Sequence, residues 1–158
     1  MSFSSELKEE ISKTENLANK EAVKYELMGY LITSNISEEK NNIKFSTENE
    51  YNINRFARLL SNIGINQYNI SMQGNLFVII VKKSYIEGIS AEKDLNLEQI
   101  KWLIKGTYLG SGSINNPEKK YHLEIGFEEK KKAEEIKEYL KNYYIKSNVL
   151  EKNNQYSI

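Results

Sequence analysis

Chemistry in this chain would have to come from carboxylates, hydroxyls and one imidazole. The absence of cysteine removes disulfides, thiolate nucleophiles and zinc clusters, and a lone His122 offers little to a nitrogen-ligated metal. His122 alternates with Tyr121 and Leu123 on an extended stretch, which sends it with Glu124 to a polar face; a surface histidine near a carboxylate is the plainer reading than a catalytic base. Glu38, Glu39 and Glu118 fall in polar turn sequence and read as solvated loop charge. The run Gly110-Ser111-Gly112-Ser113 suggests a phosphate loop, but it follows a helical pattern instead of preceding one and lacks a Gly-Lys-Ser/Thr element, so it reads as a helix exit. No cofactor is expected.

Nucleic acid is the other chemistry to weigh. Formal net charge is zero and the pI is about 6.6, so no overall field drives the chain onto phosphates and any such contact must be local. Arg55 and Arg58, the two arginines, are placed by helical spacing on an exposed face, and Lys130, Lys131 and Lys132 sit among Glu128, Glu129, Glu134 and Glu135 as a solvated helix face does. Tyr139, Tyr143 and Tyr144 have helical spacing that favours packing over base stacking.

The helical and extended segments of the chain come in a repeated order. A short helix through about Thr14, capped at Ser4 or Ser5, stands ahead of the core as an appendage over residues 1–20. Apolar Val23, Leu27, Tyr30 and Leu31 then recur at three and four residues, predicting a helix over about 21–34 with Gly29 in its middle. A hairpin follows (35–37 and 43–47, with Ile43, Phe45 and Thr47 on one face and Lys44 and Ser46 on the other), then a helix over 50–62 with Ile53, Phe56, Ala57 and Leu60 inward, then a second hairpin (67–72 and 76–82). After a linker at 84–96 the order returns from Leu97, with a helix broken at Gly110, a strand over 121–127, a charged helix over 128–143 and strands at 147–151 and 155–158. Leu60 and Leu140, and Ile65 and Ile145, are each 80 apart, whereas Gly29 and Gly106 are 77 apart; a longer loop at 115–120 absorbs the difference. Residues 21–83 and 97–158 are thus expected to be two copies of one αββαββ unit.

A glycine inside a helix costs about 1 kcal/mol relative to alanine, so two at equivalent positions need a reason. Close crossing of the two first helices about a pseudo-twofold axis supplies one, with Gly29 and Thr33 against Gly106 and Gly110 as small-residue seams.

The segments Leu27-Met28-Gly29-Tyr30-Leu31-Ile32-Thr33-Ser34-Asn35 and Ile104-Lys105-Gly106-Thr107-Tyr108-Leu109-Gly110-Ser111-Gly112 resemble the two motifs of the LAGLIDADG homing endonucleases. The start, Met1 to Glu10, and the run from Gly106 to Ile125 resemble the WhiA family of bacterial regulators in particular. The resemblance implies an α+β fold of two αββαββ halves with central packed helices and two curved antiparallel sheets. It also implies that the penultimate motif positions, acidic metal ligands in the nucleases, are Ser34 and Ser111 here. A hydroxyl is a poor ligand for a hard divalent cation, so no nuclease activity and no metal site are expected.

On the same resemblance the family continues with a closing helix and a carboxy-terminal helix-turn-helix domain, and the sequence stops inside an expected strand, so a fragment is expected. The leading expectation is a non-catalytic regulatory domain acting in transcription, cell division, chromosome segregation or sporulation. It would bind double-stranded DNA weakly by itself, the helix-turn-helix carrying most recognition, with other regulatory proteins as further partners. Its candidate contacts are Lys44, Ser46, Arg55, Arg58, Asn69, Ser71, His122 and Asn148, with Glu124 on the same polar side. The alternative is a protein-interaction scaffold with no DNA binding of its own, and an active endonuclease using an unconventional metal arrangement is a third reading. No window approaches the roughly eighteen apolar residues of a membrane helix, so a cytoplasmic, nucleoid-associated monomer is expected.

Overall fold

Asparagine starts each of the long core helices of known cap. In a computed structural model, Asn19 accepts hydrogen bonds from the Glu21 and Ala22 amides, Asn49 from Asn52, and Asn96 forms a reciprocal box with Gln99. The structure describes residues 3–13, 17–89, 94–114, 122–142, 145–152 and 155–157. The expected loop at 115–120 with Glu118, and Tyr121, Tyr143, Tyr144, Asn153, Asn154 and Ile158, lie outside them.

In chain order the elements are α1 (Phe3–Ser12), α2 (Lys20–Leu31), β1 (Ile36–Glu39), β2 (Asn42–Thr47), α3 (Glu50–Asn62), β3 (Tyr68–Gln73), β4 (Leu76–Lys82), the short α4 (Lys83–Ile86), α5 (Leu97–Ser111), β5 (Gly112–Ile114), β6 (Leu123–Phe127), α6 (Lys130–Asn142), β7 (Leu150–Lys152) and β8 (Gln155–Ser157). They form two antiparallel sheets of equivalent order, β1-β2-β4-β3 and β5-β6-β8-β7. The duplication extends to a single bond. Ile65 N–H donates to the Leu60 carbonyl as α3 ends, and Ile145 N–H donates to that of Leu140 as α6 ends, both at 2.9 Å.

Alternation in β2 buries Ile43, Phe45 and Thr47 under α3, and its register sets Phe45 opposite Ile79. Tyr30 meets Phe45 and Phe56 edge-on at 5.1 Å, while Phe45 and Phe56 stack at 4.8 Å; the three rings form the centre of the first core. Leu103, Ile125, Phe127, Ala133 and Ile136 form a smaller second core.

Several sequence-based expectations need correction. Glu38 and Glu39 belong to β1 instead of a turn, because a tight reversal at Lys40 (φ 54) and Asn41 suffices. The helix does not break at Gly110: α5 continues to Ser111, since Gly110 is pressed against another chain segment and its missing side chain serves packing. Ser4 and Ser5 lie inside α1 instead of capping it. That helix also bridges the halves: the Asn49 amide donates to the Ser5 carbonyl at 3.3 Å, and Ile114 N–H donates to Ser4 Oγ at 3.4 Å.

Candidate functional site at the central helix ends

α2 and α5 cross with their main chains in contact. A methyl group on Gly29 would lie 2.7 Å from Gly106 Cα and collide with the Leu103 carbonyl; one on Gly106 would lie 2.9 Å from Gly29 Cα and collide with the Glu26 carbonyl. One on Gly110 would strike the Thr33 side chain at 2.6 to 3.2 Å. The geometry brings Gly29, Thr33, Gly106 and Gly110 to one seam.

The seam carries α2 and α5 to a common end, where Ser34 and Ser111 face Gly126 of β6. Ser111 Oγ donates to the Gly126 carbonyl at 2.6 Å and accepts the Gly126 N–H at 3.1 Å. Ser34 N–H donates to the same carbonyl at 3.0 Å, and Thr33 forms a bridge with Phe127. A Cβ at Gly126 would sit 2.5 Å from Ser34 Oγ and 3.5 Å from Ser111 Oγ, so only a glycine lets the strand come this close. The last carbonyls of α5 are also occupied: the Asn35 amide donates to Gly110 at 2.8 Å and the Asn52 amide to Leu109 at 2.6 Å, both from the first half. Tyr30 completes the chain by donating to Asn52 at 2.5 Å; burial, and then the nearby Glu26 charge, raise its phenol well above the ordinary range and keep the donor protonated.

One turn further back, the halves share a buried charge. Glu26 accepts two bonds from Arg55, at 2.8 and 2.9 Å, and the Lys105 ammonium of α5 lies 3.2 Å from the same carboxylate. This corrects the expectation for Arg55, which is 2% exposed and cannot be offered to DNA from a surface. Burial acts to lower its pKa, but the Glu26 hydrogen bonds and charge outweigh it and the net shift is upward. Sequence periodicity missed Glu26, Asn52 and Arg55 because an amphipathic pattern assigns polar residues outward. The only available clue was that α2 must pack on two sides, against its own half and against α5.

The remaining candidate DNA contacts divide by face. Lys44, Ile80 and Asn69 share one cross-strand row, and Ser46, Val78 and Ser71 the next, so Lys44, Ser46, Asn69 and Ser71 gather on the face of the first sheet opposite α3. Lys44 is partly neutralised there, 3.7 Å from Glu39 and hydrogen-bonded to Gln73 at 3.1 Å. Arg58 is exposed on α3, behind that sheet. His122 is exposed 3.7 Å from Glu124 at the start of β6. Asn148 is exposed in the irregular stretch before β7, which corrects its expected place within a strand. Among the described residues there is no group of three or more His, Cys, Asp or Glu arranged to hold a metal.

Two sheets flanking a helix pair that touches through glycines define a LAGLIDADG-type α+β protein. The homing endonuclease I-DmoI, in a crystal structure in complex with DNA and Mn, superposes with a TM-score of 0.63 at 17% identity, over 88% of this chain and 89% of that one. The crystal structure of the N-terminal LAGLIDADG domain of WhiA superposes better, at a TM-score of 0.82 and 22% identity over 98% of this chain and 81% of that one. Full-length WhiA from Thermatoga maritima gives 0.78 at 22%, over 100% of this chain and 57% of that one. Residues 100–158 match the family model described as the WhiA LAGLIDADG-like domain. The probable cell division protein WhiA of Clostridium novyi (strain NT) is 27% identical over 192 residues, and that of Clostridium botulinum (strain Hall) 26% over 191. The similarity to these WhiA proteins runs along the whole of this chain, which spans 60% of their length.

Proposed function

We propose that this chain is a WhiA-type domain that keeps the homing-endonuclease frame without its hydrolytic centre and lends weak duplex contacts to a cell-division regulator. The observation that carries the proposal is the closure of the central helix ends: both hydroxyls sit against Gly126, and the neighbouring carbonyls are capped by Asn35 and Asn52. Hydrolysis of a phosphodiester at such a frame needs a divalent cation held by hard anionic ligands between the helix ends. Here that volume holds a strand and neutral donors, a set that does not fit the ion.

Duplex contact is assigned to the first sheet, where Lys44, Ser46, Asn69 and Ser71 share a face. The Glu39 carboxylate beside Lys44 limits its pull, so binding is expected to be weak and to vary little with sequence. Fluorescence anisotropy with a labelled mixed-sequence duplex, at roughly 50 to 200 mM salt, tests this. The proposal predicts a shallow log-log salt slope near −1 to −2, weakened by Lys44→Glu, and no cleavage in magnesium or manganese. Sub-micromolar sequence-specific binding or strand scission would overturn it.

A further inference from the structure

Each sheet has two edges, and three of the four carry features that keep an edge from pairing. β1 ends in Glu38 and Glu39, β5 is three residues long, and β7 is three residues long with Glu151 and Lys152 among them. β3 has none of these. It is the six-residue strand Tyr68-Asn69-Ile70-Ser71-Met72-Gln73, without a charge or a proline, and Asn69 to Gln73 are all exposed. Ile70 is 47% exposed and Met72 54%.

The turn after β3 decides which main-chain groups this edge offers. Gln73 and Leu76 pair across the two residues Gly74 and Asn75, with Gly74 at φ 62. The pair that closes a two-residue hairpin exchanges both of its hydrogen bonds, and the bonding alternates from there. Gln73, Ser71 and Asn69 therefore point their N–H and C=O groups at β4. Met72, Ile70 and Tyr68 point theirs outward, where among the described residues no strand meets them. The same alternation divides the side chains: Tyr68, Ile70 and Met72 share the α3 side with Phe77, Ile79 and Val81, and Asn69 and Ser71 take the opposite face.

We infer that β3 pairs antiparallel with β3 of a second copy of this chain, about a twofold axis through Ile70 perpendicular to the sheet. In that register Ile70 lies opposite its own copy, Tyr68 opposite Met72 and Asn69 opposite Ser71. Apolar meets apolar on one face and polar meets polar on the other. Tyr68, Ile70 and Met72 exchange both main-chain bonds with the facing strand, and the pairing brings no like charges together because the strand has none. A charged strand gains nothing at an edge that holds no charge to answer it, whereas a second β3 satisfies every position. The internal duplication removes the need for a dimer to complete either half, but it leaves this edge open. The inference does not depend on duplex contact.

The test is sedimentation of the whole chain at rising concentration, with isotope-filtered NOE spectra of a mixed labelled and unlabelled sample. A dimer with a dissociation constant of about 1 mM or tighter is expected, with contacts between copies from Asn69 Hα to Ser71 Hα, the pair that is not hydrogen-bonded. Ile70→Pro removes an outward N–H while sparing the ladder to β4, and should weaken association at least about tenfold with the amide shifts of β4 retained. Met72→Lys, at an exposed position, blocks the edge by charge should Ile70→Pro disturb the fold. A chain that stays monomeric at about 1 mM, contacts between copies through other segments, or association insensitive to both variants would each overturn the inference.

Discussion

At the ends of the central helices, a hydroxyl in place of a carboxylate separates a cap from a ligand. The Ser111 hydroxyl both donates to and accepts from Gly126, using its hydrogen-bonding capacity on the backbone of one residue. Ser111→Ala should therefore cost about 1 kcal/mol in a denaturant titration, leaving a strand amide short of a partner, with no effect on duplex affinity. The buried carboxylate is a larger matter. Among the described residues, Arg55→Met leaves Glu26 with Lys105 alone in a site almost without water, and a loss of about 3 to 5 kcal/mol is expected. The double variant with Glu26→Leu should recover much of that loss, because the repeat places Leu103, buried in the second core, at the position equivalent to Glu26. A double-mutant cycle that shows no coupling between the two sites would refute the pairing.

At the scale of elements, the seam between α2 and α5 sets everything else. Gly106→Ala should destabilise by at least about 1 to 3 kcal/mol, since the new methyl meets the main chain of Glu26, which cannot rotate away as a side chain can. Gly29→Ala should do the same, and the two together should cost less than their sum because each opens one shared contact. Gly88→Ala, with nothing within 4 Å, should stay within about 0.5 kcal/mol of the unaltered chain by thermal or chemical unfolding. Much of this level was legible in the sequence: the spacing over Glu50–Asn62 and Leu76–Lys82 predicts α3 and β4 with the boundaries observed, and the paired glycines predict a crossing. What stayed hidden shares one cause. Arg55, Asn52 and Glu26 look outward to any one-element pattern, and only the approach of a second half turns that outward side into an interior. The Gly110-Ser111 pair misleads for the same reason, because a tertiary contact with Thr33 overrides its local tendency to end a helix.

For the whole molecule, the duplicated frame fixes two sheets on either side of a rigid seam, and its charge is balanced overall. Such a surface cannot rely on long-range attraction to DNA, so its contribution to a larger regulator would come from geometry at short range. The ends of the two central helices are closed by Ser34, Ser111 and Gly126. Paramagnetic broadening by manganese, titrated against the amide signals of the whole chain, tests whether that closure leaves room for an ion. Ser34, Gly112 and Gly126 should broaden no more than exposed carboxylate-bearing segments such as Glu134–Glu138. Selective loss of the Gly126 and Gly112 signals at stoichiometric manganese would show an ion seated between the helix ends and would contradict that closure.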